Sequence, residues 1–191
     1  MELLTVGHGT LSQERLGALL GEAGVEHLVD VRTAPGSRRH PHVSRSALEE
    51  WLPPLGIAYA WERRLGGWRK ARPDSPNTGL RNDSFRGYAD YMRTAPFWAA
   101  LDEVLATAGD HRTAVMCSEA VYWRCHRRLI ADATEIGRAV AVRHLGHDGS
   151  LGRHRLTEGV RRDGELLVYD GGAPALWSDP PGPADPDGQT A

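Results

Sequence analysis

Two cysteines and the polar residues around them form the densest group of chemically active side chains in this sequence. The segment CSEAVYWRCHRR starts at Cys117, places Glu119 two residues later and includes His126 near its end. A thiolate is a strong nucleophile, and a carboxylate or an imidazole beside it can move the proton. The spacing predicts that Cys117 acts as a nucleophile or redox thiol and that Glu119 and His126 carry protons.

The predicted position of Cys117 supports this assignment. Cys117 follows a predicted strand and precedes a predicted helix, where the helix dipole and nearby Arg124 favour the thiolate. His8, which follows the first predicted strand, is a further candidate proton carrier. The alternative is that Cys117 is a small apolar residue that ends a buried strand. Cys125 is expected to be buried in mid-helix and unreactive.

Several arginines are placed to bind an anion. Arg32 ends the second predicted strand, and Arg38 follows a Pro-Gly turn just beyond it. Arg124 and Arg127 share one face of the helix predicted over 122–136, although a solvated helix face would look the same. Guanidinium groups and the free N–H groups of a helix start can hold phosphate or carboxylate. All four arginines are therefore predicted anion ligands.

A third segment mixes aromatic and basic residues. It is LGGWRKARPDSPNTGLRNDSFRGYADYM, residues 65–92, and includes Trp68, Arg69 and Arg86. Aromatic rings that stack on bases, beside arginines that pair with phosphates, are typical of nucleotide and single-stranded nucleic-acid sites. We predict that Trp68 stacks and that Arg69 and Arg86 bind the anion. The helical spacing of the other aromatic residues predicts a core stripe instead, formed by Phe85, Tyr88 and Tyr91.

The sequence predicts no metal site and no cofactor. Cys117, Cys125 and His126 are separated by a gap of eight residues that matches no standard zinc spacing.

Alternating apolar segments predict an α/β domain. The predicted strands lie at 2–7, 27–33, 57–62, 112–117 and 139–145, and the predicted helices at 12–23, 44–51, 84–108 and 122–136. The segment 84–108 is either one helix or two, since Pro96 can start a second helix. A hairpin is predicted through 165–169. Such alternation favours a compact three-layer fold over residues 1–177, with a mostly parallel sheet and helices on both faces. The Pro/Gly/Asp-rich segment 178–191 is predicted to be a disordered tail.

Composition narrows the class of protein. Two cysteines are too few for a disulfide scaffold, and neither a signal-peptide layout nor an apolar run of roughly 18 residues occurs, which predicts a cytoplasmic protein without membrane contact. Residues 1–162 carry 23 bases against 19 acids, a net charge of +4. This charge could attract an anionic small molecule or nucleic acid, but it falls short of an obligate DNA-binding face. The sequence identifies no protein partner.

Four separated segments resemble the bacterial and archaeal domain of unknown function family 488. They are VGHGT, VDVRTAPGSRRHP, the aromatic segment above and AVMCSEAVYWRCHRRLIA, spanning about residues 5–145. The resemblance implies a compact α/β domain whose motifs form a shared cleft. Its motif positions include Asp30, Gly66, Gly67 and Cys125 as well as candidates named above. The first motif commonly reads G-H-S-T, whereas Gly9 replaces the serine here.

These observations leave three hypotheses. The first is an enzyme, or a catalytically poised domain, that acts on a nucleotide or nucleic acid. The second is a non-catalytic module that binds nucleic acid or phosphate through the same arginines and Trp68. The third is a structural adaptor with a vestigial cleft.

Overall fold

The computed structural model describes residues 1–172, which contain eight strands and five α-helices. The strands are β1 (Glu2–Gly7), β2 (His27–Asp30), β3 (Ala58–Trp61), β4 (Thr113–Cys117), β5 (Ala141–Leu145), β6 (Leu151–Arg153), β7 (Val160–Asp163) and β8 (Leu166–Tyr169). The α-helices are α1 (Gln13–Glu22), α2 (Arg45–Trp51), α3 (Asp83–Met92), α4 (Ala95–Asp110) and α5 (Arg127–Arg138).

Six of the strands form one sheet in the order β3-β2-β4-β1-β5-β6. The first five strands in this order are parallel, and β6 pairs antiparallel with β5. Strands β7 and β8 form a separate hairpin, which confirms the hairpin predicted through 165–169. The predicted α/β class with a mostly parallel sheet is confirmed.

Successive strand residues point to opposite sides of the sheet, so both faces carry apolar side chains. Helices cover both faces and bury these side chains. Leu4 packs on the face covered by α1 and α2, in one apolar cluster with Leu16 and Leu48. Leu3, its neighbour in β1, packs on the other face with Phe97 and Leu129, from α4 and α5. The central strands β1, β2 and β4 are therefore buried almost throughout, as is typical of a parallel sheet covered on both faces.

One helix boundary differs from the sequence-based prediction, and one alternative is decided. The segment predicted as one long helix or two over 84–108 contains two helices, and Pro96 lies in the first turn of the second, as the sequence allowed. The helix predicted over 122–136 starts only at Arg127, after a short 3-10 turn at Tyr122–Arg124. Cys125 therefore precedes the helix instead of lying inside it.

The connections place a crevice at the carboxyl ends of β1 and β4. From β1 the chain crosses through α1 to β2, whereas from β4 it crosses through α5 to β5 on the opposite side. Neighbouring strands whose connections diverge leave a ligand-binding crevice at that edge. The backbone N–H of His8 donates to the carbonyl of Cys117 at 3.0 Å, and that of Gly9 donates to Ser118 at 3.0 Å. These bonds hold both strand ends together.

No helix within residues 1–172 combines the length and the apolar character that crossing a membrane requires. The predicted tail at 178–191 lies outside the described residues.

Candidate functional site

A cleft of about 440 Å³ opens at the carboxyl ends of β1, β2 and β4. Its volume is within the range of small-molecule sites. Residues from all four sequence motifs line it: His8, Gly9, Arg32, Thr33, Ala34, Gly36, Ser37, His40, Gly67, Trp68, Ser84, Phe85, Tyr88, Cys117, Ser118, Glu119, Arg124, Cys125 and His126.

Two sulfurs and an imidazole meet at the floor of the cleft. Nδ1 of His126 lies 3.9 Å from Sγ of Cys117 and 3.7 Å from Sγ of Cys125. These three atoms, all possible metal ligands, lie within 4.8 Å of one another. On the other side of the ring, Nε2 of His126 lies 3.3 Å from the carbonyl oxygen of Val31. If Nε2 carries the proton and donates to this carbonyl, the Nδ1 lone pair faces the sulfurs.

The pKa values of the two thiols are shifted in opposite directions. A hydrogen bond with Cys125, together with burial, raises the pKa of Cys117 to about 12. The hydrogen bond from Cys117 lowers the pKa of Cys125 to about 6 against the effect of burial, assisted by the charge and backbone N–H of Arg127. Because Cys125 also precedes the start of α5, it is the better thiolate. This differs from the sequence-based assignment of Cys117 as nucleophile.

His8 and Arg32 form one wall of the cleft. The Nδ1–H group of His8 donates to the carbonyl of Gly9 at 3.0 Å, and NH1 of Arg32 donates to Nε2 of His8 at 3.2 Å. Burial and the nearby charge of Arg32 lower the pKa of His8 to about 4. His8 is therefore a neutral group that orients Arg32, in place of the proton carrier expected from the sequence.

The charge of Arg32 is largely compensated within the protein. Its Nε and NH2 atoms donate to the buried carboxylate of Asp30 at 2.8 and 2.5 Å, and NH2 also donates to the carbonyl of Val43 at 2.7 Å. Tyr59 donates to the same carboxylate at 2.9 Å. Arg32 can therefore donate to a ligand through its NH1 group.

Three predicted site residues lie at the rim. Arg124 is exposed and makes no side-chain hydrogen bond or ion pair with the residues that the structure describes. Glu119 is also exposed, and its Oε1 accepts from the backbone N–H of Val121 at 3.4 Å. The indole of Trp68 is 82% exposed, and its backbone φ of 57° is uncommon for a bulky residue. The rim presents a cation, a carboxylate and an aromatic face.

Four arginines predicted to bind an anion do not line the cleft. Arg38 is exposed on the loop beyond β2. Arg69 donates to the carbonyls of Gly66 and Arg64 and lies 3.7 Å over the ring of Tyr91. Arg86 donates to the carbonyl of Leu80 and lies 3.5 Å from Asp83. Intramolecular partners occupy both guanidinium groups, since loop carbonyls lie within their reach.

Arg127, the fourth of these arginines, is 1% exposed and begins a buried chain of hydrogen bonds. Its NH1 atom lies 3.4 Å from the hydroxyl of Thr5, which lies 2.6 Å from Nδ1 of His144. Nε2 of His144 lies 3.0 Å from Nδ1 of His154, whose Nε2 atom lies 2.9 Å from Asp132. Burial and the charges of His154 and Arg127 lower the pKa of His144 to about 3. With His144 neutral, Arg127 can donate to the hydroxyl of Thr5, and this hydroxyl can donate to Nδ1 of His144.

Acid should destabilise the protein before its carboxylates titrate. The folded state holds His8 and His144 neutral, whereas in the unfolded chain they protonate near pH 6.5. Their contribution is complete above pH 6.5 and is lost as the pH falls toward 4 and 3. We expect denaturation curves between pH 7 and 4.5 to show a loss approaching at most about 1.4 kcal/mol per pH unit for each histidine.

The matched comparison uses an exposed histidine. His111→Gln should keep the full slope of stability against pH, and His144→Gln should flatten it. A free energy of unfolding that stays constant from pH 6.5 to 4.5 would contradict this expectation.

Sequence reasoning missed several residues of the site. Phe85 and Tyr88 were predicted as core, and the structure shows that they belong to the core or pack against it and also line the cleft. Gly9 adopts a φ of +52°, and a Cβ there would lie 2.8 Å from the ring of His147. A serine at this position would be strained, which gives a physical reason for the departure from G-H-S-T. The sequence held one indication of this hydrogen-bonded chain, because His144 lies within a segment predicted to be a strand of the sheet.

Comparison with known proteins places the chain in a family. No curated protein sequence matches it. No solved structure matches it. The model of the family described as "Domain of unknown function DUF488" matches residues 12–134, more than half of the chain, including the whole segment from Cys117 to Arg128. The chain therefore belongs to the domain of unknown function family 488.

Proposed function

We propose that this domain is an enzyme that acts on a phosphate-bearing ligand of the nucleotide class, with the sulfur and imidazole groups of Cys117, Cys125 and His126 as its reactive centre. One observation carries the proposal: these groups lie at the floor of a cleft whose rim presents the exposed cation Arg124 and the exposed indole of Trp68. An enzyme that acts on a nucleotide needs its reactive groups close to a cation that binds the phosphate and to an aromatic surface on which the base stacks.

The contacts and exposure of each residue indicate its role in the proposed reaction. Arg124 has no competing partner among residues 1–172, so its guanidinium is available to a phosphate. The NH1 edge of Arg32, oriented by His8, can add a second donor deeper in the cleft. Glu119 is exposed at the rim of the cleft and can exchange protons with solvent during the reaction.

Loss of the rim residues should weaken nucleotide binding. Isothermal titration with AMP should show about 10- to 100-fold weaker binding to Arg124→Gln, because a hydrogen bond to a charged group contributes roughly 1.5–3 kcal/mol. Trp68→Gly should weaken AMP binding by about 10-fold or more through lost stacking. Since glycine tolerates a positive φ, Trp68→Gly should also be as stable as the parent or more so, which separates binding from folding.

The matched control is Arg155→Gln, an exposed arginine away from the cleft, which should bind AMP like the parent chain. Inorganic phosphate tests the anion site alone, and a single-stranded oligonucleotide distinguishes nucleic acid from mononucleotide by a steeper dependence on salt. Equal loss of affinity in Arg124→Gln and Arg155→Gln would contradict the proposal. Binding without conversion of any nucleotide probe would favour the non-catalytic module.

A further inference from the structure

The spacing of the three floor atoms matches a tetrahedral metal site. With bonds of roughly 2.3 Å to sulfur and 2.0–2.1 Å to nitrogen, the sulfur–nitrogen edge of a zinc tetrahedron is roughly 3.6 Å. The corresponding distances from Nδ1 of His126 are 3.9 Å to Cys117 and 3.7 Å to Cys125. Small side-chain movements would bring all three atoms to bonding distance of one ion.

The surroundings of His126 also suit a metal ligand. Histidines that bind metals usually donate their second N–H group to a carboxylate or a backbone carbonyl, which fixes the ring and its tautomer. Nε2 of His126 lies 3.3 Å from the carbonyl oxygen of Val31, and the ring packs against Tyr88 with centroids 5.0 Å apart. The Nδ1 atom is thereby directed at both sulfurs.

We propose that Cys117, Cys125 and His126 bind one divalent transition-metal ion of the zinc class. Two thiolates and an imidazole favour zinc or cobalt over the hard ions magnesium and calcium. Binding replaces the protons of both thiols, so each M²⁺ releases up to two protons and forms a neutral centre. The sulfurs then act as ligands, which differs from the nucleophile and the absence of metal expected from the sequence.

The folded chain explains why the sequence spacing did not indicate this site. Cys117 ends β4, and the 3-10 turn at Tyr122–Arg124 brings the chain back over the strand end before α5 begins. Cys125 and His126 therefore lie close to Cys117 because of the loop between β4 and α5. A compact zinc-binding knuckle would instead place its ligands only a few residues apart in the sequence.

The proposed ion has a role in the proposed function. All three ligands line the cleft, so a water molecule or a ligand oxygen can complete the coordination, as in catalytic zinc sites with three protein ligands. This role, a Lewis acid facing a phosphate, rests on the proposed function. Metal binding itself does not.

Cobalt titration of the reduced, metal-free full chain tests the proposal without nucleotide. We expect one equivalent of Co²⁺ to produce thiolate-to-cobalt charge-transfer bands and the d–d bands of tetrahedral cobalt, and zinc to displace it. Cys117→Ser, Cys125→Ser and His126→Asn should each lower the affinity by more than the roughly 10- to 100-fold cost of losing an outer-shell partner. The charge-transfer absorption should fall in both cysteine variants.

The control is His111→Asn, an exposed histidine distant from the cleft, which should bind Co²⁺ like the parent chain. Circular dichroism of every metal-free variant separates lost ligands from lost folding, and zinc should slow alkylation of both thiols in the parent chain. Cobalt bound without charge-transfer bands, or alkylation unaffected by zinc, would overturn the proposal. AMP binding to the metal-free chain is measured separately, so failure of the nucleotide site and failure of the metal site give different results.

Discussion

Gly7→Ala is expected to destabilise the protein by more than about 4 kcal/mol, the range of severe core changes. A Cβ atom at position 7 would lie 1.8 Å from the backbone oxygen of Glu119 and 2.6 Å from NH2 of Arg127. Real Cβ atoms do not approach this closely, and the first contact is with backbone that cannot rotate away. The end of β1 would therefore have to separate from the loop that carries the cleft. Chemical denaturation monitored by circular dichroism measures the loss.

Gly21→Ala is the matched control. Gly21 lies on the exposed side of α1, and a Cβ there meets no atom within 4 Å. Alanine is favoured over glycine in a helix by up to about 1 kcal/mol, and Gly21 lies in the last turn of α1, so this variant should be at least as stable as the parent. Similar denaturation midpoints for the two alanine variants would show that the close approach at Gly7 is not a constraint.

Arg127→Met should lower the free energy of unfolding by about 3 kcal/mol. Methionine retains much of the apolar volume but removes the donors that bind the carbonyl of Glu119 and the hydroxyl of Thr5. The hydroxyl of the fully buried Thr5 and the part-buried carbonyl of Glu119 would lose a charged donor, which costs roughly 1–3 kcal/mol for each buried group left unpaired. Urea denaturation near pH 7 is the measurement, because the lowered pKa of His144, about 3, keeps that histidine neutral there.

The adjacent residue provides the control. The guanidinium carbon of Arg128 lies 5.0 Å from the centre of the Phe85 ring. The side chain of Arg128 makes no hydrogen bond with the residues that the structure describes. Arg128→Met should therefore cost no more than about 1 kcal/mol, the usual size of a cation–π contact. If both methionine variants lose the same stability, the hydrogen bonds of Arg127 contribute no more to stability than the cation–π contact of Arg128.

Local patterns were sufficient for most of the elements. The strand predicted at 2–7 is β1 with the same bounds, and the apolar residues Leu3, Leu4 and Val6 suit a strand that is covered on both faces. The cap of α1 was also recognisable, since Ser12 accepts from the N–H of Arg15. The start of α5 was misplaced by five residues because Tyr122 to Arg124 fits helical periodicity while the tertiary structure holds it in a 3-10 turn.

The roles of the arginines were not predictable from their positions. Arg69 and Arg124 look alike in sequence, each next to an aromatic residue in a motif segment. Arg69 is occupied by carbonyls and by Tyr91, whereas Arg124 points toward the cleft. Whether a guanidinium is free depends on acceptors brought near it by distant parts of the chain.

The sequence by itself determined the α/β class, the family and the edge of the sheet where the polar motifs gather, because apolar periodicity and motif order are local properties of the chain. The tertiary structure decided which thiol is the more acidic, which arginine is buried and that two sulfurs meet one imidazole. These outcomes depend on distances of a few ångströms between residues far apart in the chain, since hydrogen bonding, desolvation and metal coordination all act at that range.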